Sequence, residues 1–287
     1  MASRPHMLSS RYVLRVTLAA LASVGFADAN DLLIAAIGKG DLERVRDLIA
    51  TGADPNADAS GGASVLALAS ARGHREIAAL LLERGALVQG VANASGVRIR
   101  DRATTVGSAI IGSSDQGELV SILARSRERV AIQGMVAHWY RIQKADSTTG
   151  FSYGFFFDVD AREIDVLPMF YENDRYGFRL QIPATWEGFV VSEQLIDFGS
   201  GVEAPVIYFG LAAQSEIFAL GILTHAQWEA LSKVDGRDGI TGPPLAENDR
   251  FRFRYSLGHY AANDEMHRRR AEVPAVARTL EAFAPAP

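Results

Sequence analysis

The 287-residue chain contains no cysteine. Disulfide bonds, thiolate nucleophiles and cysteine-ligated metal centres are therefore excluded. Positive charge is also short: 29 Lys and Arg stand against 34 Asp and Glu, a net charge of −5. There is no basic domain, and the short run His267-Arg268-Arg269-Arg270 reads as a solvated face, so nucleic acid is not the expected partner. The signatures of catalysis are missing as well. There is no Gly-x-Ser-x-Gly elbow and no phosphate-cradling Gly-x-x-x-x-Gly-Lys-Ser/Thr loop. Six histidines are present, but none forms His-x-His or His-Glu-x-x-His, the spacings that put two imidazoles on one metal. Asp158-Val159-Asp160-Ala161-Arg162-Glu163 is rich in carboxylates. It lacks the glycine and the twelve-residue spacing of a calcium loop, and it reads as an acidic turn. The expectation is no enzyme, no cofactor and no metal.

Long apolar runs are absent too. The longest candidate, Val16 to Phe26, has 11 residues, whereas a membrane-spanning helix needs about 20. It follows Arg11 and Arg15 and precedes Ala27-Asp28-Ala29, with small residues where a signal peptidase requires them. Residues 1–29 therefore read as a cleavable signal peptide. The expected location is the periplasm, with secretion as the alternative, and no membrane span.

What is present is an internal repetition. Leu32 to Glu43 closes at Gly52-Ala53-Asp54, and Val65 to Glu76 closes at Gly85-Ala86-Leu87. Gly40 and Gly73 are 33 residues apart; so are Leu33 and Leu66, Ala36 and Ala69, Glu43 and Glu76, and Leu48 and Leu81. Apolar residues recur at helical spacing on each side of Gly40 and Gly73, so each unit predicts two helices joined by a glycine turn. A weaker third unit runs from Thr104 to Leu123. Aligning Glu118 on Glu76 gives an offset of 42, nine residues longer, with the extra length in the Gly/Asn/Ser-rich stretch from Gln89 to Ser95. These residues resemble ankyrin repeats. The resemblance implies an all-α repeat stack over residues 30–129, two clear units and a degenerate cap, used to bind another protein.

Beyond about Arg129, aromatic and β-branched runs replace the helical period. Strands are expected at Met135–Ile142, Phe151–Val159, Arg162–Phe170, Tyr176–Ile182, Phe189–Ser192, Ala204–Leu211, Ile217–Leu223 and Arg250–Leu257. Helices are expected at Thr224–Lys233 and Val273–Phe283, the latter with Pro274 in its first turn. Within this half, Tyr176-Gly177-Phe178-Arg179-Leu180-Gln181-Ile182-Pro183-Ala184-Thr185-Trp186 and Ile217 to Trp228 resemble the PsbP-like domains of small exported bacterial proteins, over roughly Asn173 to Phe283. That resemblance implies a fold more than a function. Trp186 and Trp228 read as core aromatics.

The fold class is thus α+β: an N-terminal all-α ankyrin repeat stack, then an antiparallel-sheet α+β domain over residues 130–287. The expected function is a periplasmic protein-binding module, in one version the inhibitor of a toxin or hydrolase. The alternative is a ligand-binding or enzymatic C-terminal domain docked through the repeats. Polar residues of loops on a rigid scaffold are the expected contacts: Asn56, Asp58 and Ser60 in the first finger, Ala71, Arg72 and His74 at the second turn, and Asn93, Ser95 and Arg98 in the long second finger.

Overall fold

The computed structural model of the protein describes residues 28–59, 61–186, 188–198, 201–211, 215–234, 243–257 and 264–285. The segment expected to be a signal peptide, up to residue 27, lies outside them.

Four short helices open the chain: α1 (Ala29–Lys39), α2 (Leu42–Ala50), α3 (Val65–Ala71) and α4 (Arg75–Glu83). Side-chain caps start three of them. Asp28 accepts from the Asn30 amide, Asp41 from that of Arg44 and Ser64 from that of Ala67, each supplying an acceptor to an otherwise orphaned first-turn N–H. Leu33, Ile37, Val45 and Leu48 pack with Leu66, Ile77 and Leu81 in one buried cluster.

The opening run of helices ends at Glu83 and strands take over from Val88, so the expected all-α repeat stack over residues 30–129 is overturned. Two short helical hairpins lie against extensive sheets, and the chain is not an ankyrin stack. The physical reason lies in the period of the third unit. From Leu119 to Ser126, burial alternates residue by residue up to Ala124, and it also alternates strictly across Val88–Ala92. That is a period of two, and it buries one face of a strand. Val120, Ile122, Ile110 and Ile111 add β-branched side chains that suit a pleated surface.

The strands, in order, are β1 (Val88–Ala92), β2 (Val97–Arg100), β3 (Ile110–Ser114), β4 (Leu119–Ser126), β5 (Val130–Ile132), β6 (Met135–Ala137), β7 (Trp139–Gln143), β8 (Thr149–Tyr153) and β9 (Phe157–Asp158). The short helix α5 (Ala161–Ile164) leads to β10 (Met169–Asn173), β11 (Phe178–Ile182), β12 (Phe189–Asp197), β13 (Glu203–Leu211) and β14 (Ser215–Thr224). Then follow α6 (His225–Leu231), β15 (Ala246–Glu247), β16 (Phe251–Leu257), α7 (Asp264–Arg278) and β17 (Glu281–Ala282). The expected strand at Arg162–Phe170 is helix α5 and a turn over most of its length, with only Met169 and Phe170 in β10; Asp160 caps α5, its carboxylate accepting from the Arg162 amide. Pro274 lies well inside α7, which begins at Asp264 rather than at Val273.

Among the described residues, ten strands form one sheet in the order β17-β11-β10-β4-β7-β8-β2-β3, with β1 on β4 and β9 on β1. Strand β4 is the pivot. One edge carries β7, and the other carries β1 along its first half and β10, parallel, at its end. After β8 a 3-10 turn, Gly154–Phe156, brings the chain round to β9, which pairs Phe157 with Ala92 of β1. The strip β1-β4-β7-β8 therefore curls back on itself around Ile122, Ile142 and Phe157, and this core is continuous with that of the helices. Hydrogen bonds from β4 to β7 and β10 run across the boundary expected between residues 129 and 130.

A second, antiparallel sheet has the order β12-β13-β14-β16-β15. Its inner face, with β11 and α7, encloses Trp186, Phe209, Phe218 and Phe253. Phe209 and Phe218 stack with centroids 4.5 Å apart. Both tryptophans expected in the core are buried there or beside it, and the Trp186 indole N–H donates to the Glu272 carboxylate. The PsbP-like reading is corrected as well. β11, with which that unit was to open, is bonded to β10 and β17 in the ten-stranded sheet rather than to the five-stranded one. Asn248 helps fix this seam: its amide donates to the carbonyls of Tyr176, Gly177 and Phe283 at 2.9, 3.1 and 3.0 Å.

Candidate functional site

The expected contact residues fall in three separate places. Ser60 lies outside the described residues. Asn56 is a structural peg: its amide donates to the Gly85 carbonyl at 3.0 Å, and its side-chain oxygen accepts from the Leu87 amide at 2.8 Å. It ties the first loop to the end of the second hairpin. Asp58 is exposed and bridges to Ser64. Both line a cavity of about 640 Å³ that also takes in Asp158, Asp160 and Glu163. Burial pushes the Glu163 carboxyl up from its ordinary value, while the Ser64 hydroxyl donates to it and pulls the other way. A hydrogen bond from Arg162 holds Asp160 low. Among the described residues no group of three or more His, Asp or Glu is arranged to hold a metal ion.

Ala71, Arg72 and His74 sit at the turn of the second hairpin. Arg72 donates to the Gly38 carbonyl at 3.3 Å, across to the first hairpin. His74 occupies the N-cap position of α4 without making the capping bond. Its ring lies instead against Gly40.

The long second finger is β1, a turn and β2 rather than an extended loop. Asn93 there is partly structural, its amide donating to the Asp158 carboxylate at 3.2 Å. Ser95 and Arg98 line a groove of about 290 Å³. One wall is this stretch of chain, with Arg100. The other wall is the β5–β6 hairpin, through Ile132, Gln133 and Met135. Trp139, Tyr153 and Phe156 form the floor. Tyr153 meets Trp139 edge-on, with centroids 5.7 Å apart, and Phe156 at 6.3 Å.

Local sequence explains how the walls are held. The β5–β6 hairpin turns through Gln133 and Gly134, with φ of 51° and 84°. Two successive positive values match the right-handed twist of the flanking strands. The Tyr153 hydroxyl lies 2.7 Å from the carbonyl oxygens of both Val130 and Met135, pinning the two ends of that hairpin to the floor. The Gly154 amide donates to the His138 carbonyl at 2.8 Å, joining the 3-10 turn to the start of β7. Burial, and then the nearby Arg125 charge, lower the His138 pKa, which favours the neutral imidazole there.

The groove lining carries two arginines and no carboxylate. Arg100 is held by Ser108, donating to its hydroxyl at 3.0 Å and its carbonyl at 3.3 Å. Among the described residues the exposed Arg98 guanidinium has no hydrogen bond or ion pair. Next in sequence to the lining residues Thr105, Met135 and Phe156, the side chains of Val106, Val136 and Phe155 are 81%, 58% and 50% exposed. The site is therefore an aromatic-floored, positively charged cleft between the β1–β2 connection and the β5–β6 hairpin. No motif marks its floor, because Trp139, Tyr153 and Phe156 read in sequence only as strand residues. Their grouping was visible in sequence as two aromatic-rich segments joined by a short polar turn, Lys144 to Gly150.

No protein-family model and no curated protein matches this chain. Among the described residues no helix is long and apolar enough to cross a membrane.

Proposed function

We propose that the protein is a binding module that takes an extended segment of another protein in the groove floored by Trp139, Tyr153 and Phe156. The observation that carries this reading is the unpartnered Arg98 on an aromatic groove that contains no carboxylate. Aromatic-lined grooves accept extended, proline-containing segments, because such segments lose little conformational entropy on docking. The half-exposed Phe155 meets Phe156 edge-on, with centroids 5.5 Å apart, and adds apolar area beside the floor. The free guanidinium selects a segment that carries a carboxylate beside its apolar residues. The protein acts after export, a reading that rests on Val16 to Phe26 and on Ala27-Asp28-Ala29.

The test is selection of a random peptide library on the full chain, repeated with Arg98→Glu and Phe155→Ser. The expected result is enrichment of extended apolar or proline-containing peptides bearing Asp or Glu. Their affinity should fall about tenfold or more in Arg98→Glu, the loss of one charge-assisted contact. Enriched peptides that lack acidic residues, or that bind Arg98→Glu equally well, would sink the proposal.

A further inference from the structure

We propose that the outer face of the five-stranded sheet is a binding site for a small monocarboxylate with an apolar body, held by Arg254. This site is separate from the groove, lies on the other sheet and goes beyond the peptide reading.

The site follows from which residues β14 turns outward. Phe218, Leu220 and Ile222 point into the core shared with α7. The alternate positions, Ala219 and Gly221, face the other way. Tyr208 and Ser256 flank Ala219, and Val206 and Arg254 flank Gly221. A central strand of small residues between larger neighbours makes a trough, and a cavity of about 250 Å³ lies there. A β-carbon built on Gly221 would come 3.1 Å from Cγ of Arg254 and 3.5 Å from the Phe198 ring. The arginine stem therefore lies across the glycine, and Arg254 is part of the cavity lining.

The lack of a partner for the Arg254 head group is the second observation. Arg254 is half-buried, and among the described residues it makes no hydrogen bond or ion pair. Two residues away on the same face, Arg252 is held by Glu229 at 2.7 Å and by Glu247 at 2.9 Å. Burial lowers the Arg254 pKa, and no neighbouring charge offsets it. A guanidinium drawn from water without a counter-charge is costly, and a planar two-oxygen anion is its natural complement.

The remaining lining selects among anions. Ile196, Phe198, Val206 and Leu257 are apolar. The one carboxylate present, Glu216, already has a partner, and with burial it raises the pKa of Tyr208. A phosphate dianion would place a second negative charge beside Glu216 with no second cation. A singly charged carboxylate matches the single arginine, and its apolar body covers the trough.

The experiment uses the full chain and the probes sodium hexanoate, sodium benzoate, sodium phosphate and neutral hexanol. Binding is followed by thermal shift and calorimetry. At least one of the two carboxylates should raise Tm saturably, while phosphate and hexanol should not. Arg254→Gln should weaken that binding about tenfold or more, and Gly221→Val should also weaken it by filling the trough. Circular dichroism of both variants without ligand establishes that they fold. The inference is overturned if neither carboxylate saturates, if folded Arg254→Gln binds as tightly as the parent, or if phosphate binds as well as the carboxylates. Peptide binding in the groove should be unchanged in Arg254→Gln, so failure at one site is distinguishable from failure at the other.

Discussion

The imidazole of His74 lies against the backbone of Gly40, joining the turn of the first helical hairpin to the start of the last helix of the second. A β-carbon at Gly40 would come 2.8 Å from Cε1 of His74. Gly40 also has φ of 72°, a left-handed value that disfavours any other residue. Gly73 has the same φ, but nothing lies within 4 Å of its would-be β-carbon. Gly73→Ala should therefore cost about 1–2 kcal/mol from backbone strain alone, and Gly40→Ala should cost more. Urea unfolding of both variants, and of Gly40→Ala combined with His74→Ala, separates the two terms. The excess at Gly40 should vanish when His74 is removed. Equal losses for the two single variants would refute the contact.

Asn56 is exposed, yet it serves the fold. Its bonds to Gly85 and Leu87 close the gap between the first loop and the end of α4. Asn56→Ala should lower the unfolding free energy by roughly 1–2 kcal/mol, the cost of removing two backbone partners near the surface. Peptide affinity should stay as it was. A variant of unaltered stability that loses affinity would reverse this assignment and return Asn56 to the contact surface.

Tyr153 links the groove floor to one wall. Tyr153→Phe keeps the ring against Trp139 and deletes the hydroxyl that meets Val130 and Met135. The expected loss of stability is about 1 kcal/mol. A second, local signature should accompany it: faster amide hydrogen exchange at Ile132 and Met135, the residues paired next to the hairpin turn. Unchanged exchange there would mean that the hairpin holds itself without the floor.

Glu163 should make stability depend on pH. Burial raises its pKa, so the folded protein holds this proton more tightly than the unfolded chain does. Above the raised pKa the ionised carboxylate costs stability. That cost fades as pH falls toward the ordinary glutamate value, about 4.3. Glu163→Gln keeps an oxygen to accept from the Ser64 hydroxyl and removes the charge. The variant should have a higher Tm than the parent at pH 8, and the gap should close near pH 4. A variant less stable at pH 8 would show that the ionised group is compensated in the fold.

Much of the strand content was legible because alternation is a local property. The runs at Ala204–Leu211, Ile217–Leu223 and Arg250–Leu257 coincide with β13, β14 and β16 to within two residues. The Thr224 start of α6 was legible for the same reason. Thr224 and Gln227 satisfy each other's backbone amides across the first turn. The third helical unit misled because Asp115-Gln116-Gly117-Glu118 resembles the earlier Gly-Asp-Leu-Glu turn, while the strands on both sides of it depend on partners elsewhere. Leu119 to Ile122 become a strand because Val88 to Val91 lie alongside.

The candidate site was legible only in fragments. Ser95 and Arg98 stand out in sequence as polar residues of a loop, and both line the groove. Trp139 is 41 residues beyond Arg98 and Tyr153 is 55 beyond it, and nothing local marks them as neighbours. Arg254 carried no signal either. Whether an arginine is paired depends on which strand runs beside it.

The amino-acid sequence by itself determined the exclusions and many local elements: no thiol chemistry, the helical period up to Glu83, and the strand runs that became β13, β14 and β16. Each follows from residue identity or from spacing within one element. Tertiary structure alone decided that β4 carries β1 and β10 on one edge and β7 on the other. It also decided that the β1–β2 connection and the β5–β6 hairpin enclose an aromatic floor, and that Arg254 lies unpaired over Gly221 while Arg252 finds two carboxylates. Those outcomes turn on which distant segments come to lie within a few ångströms of one another. Contact range is short, and the separations along the chain are long.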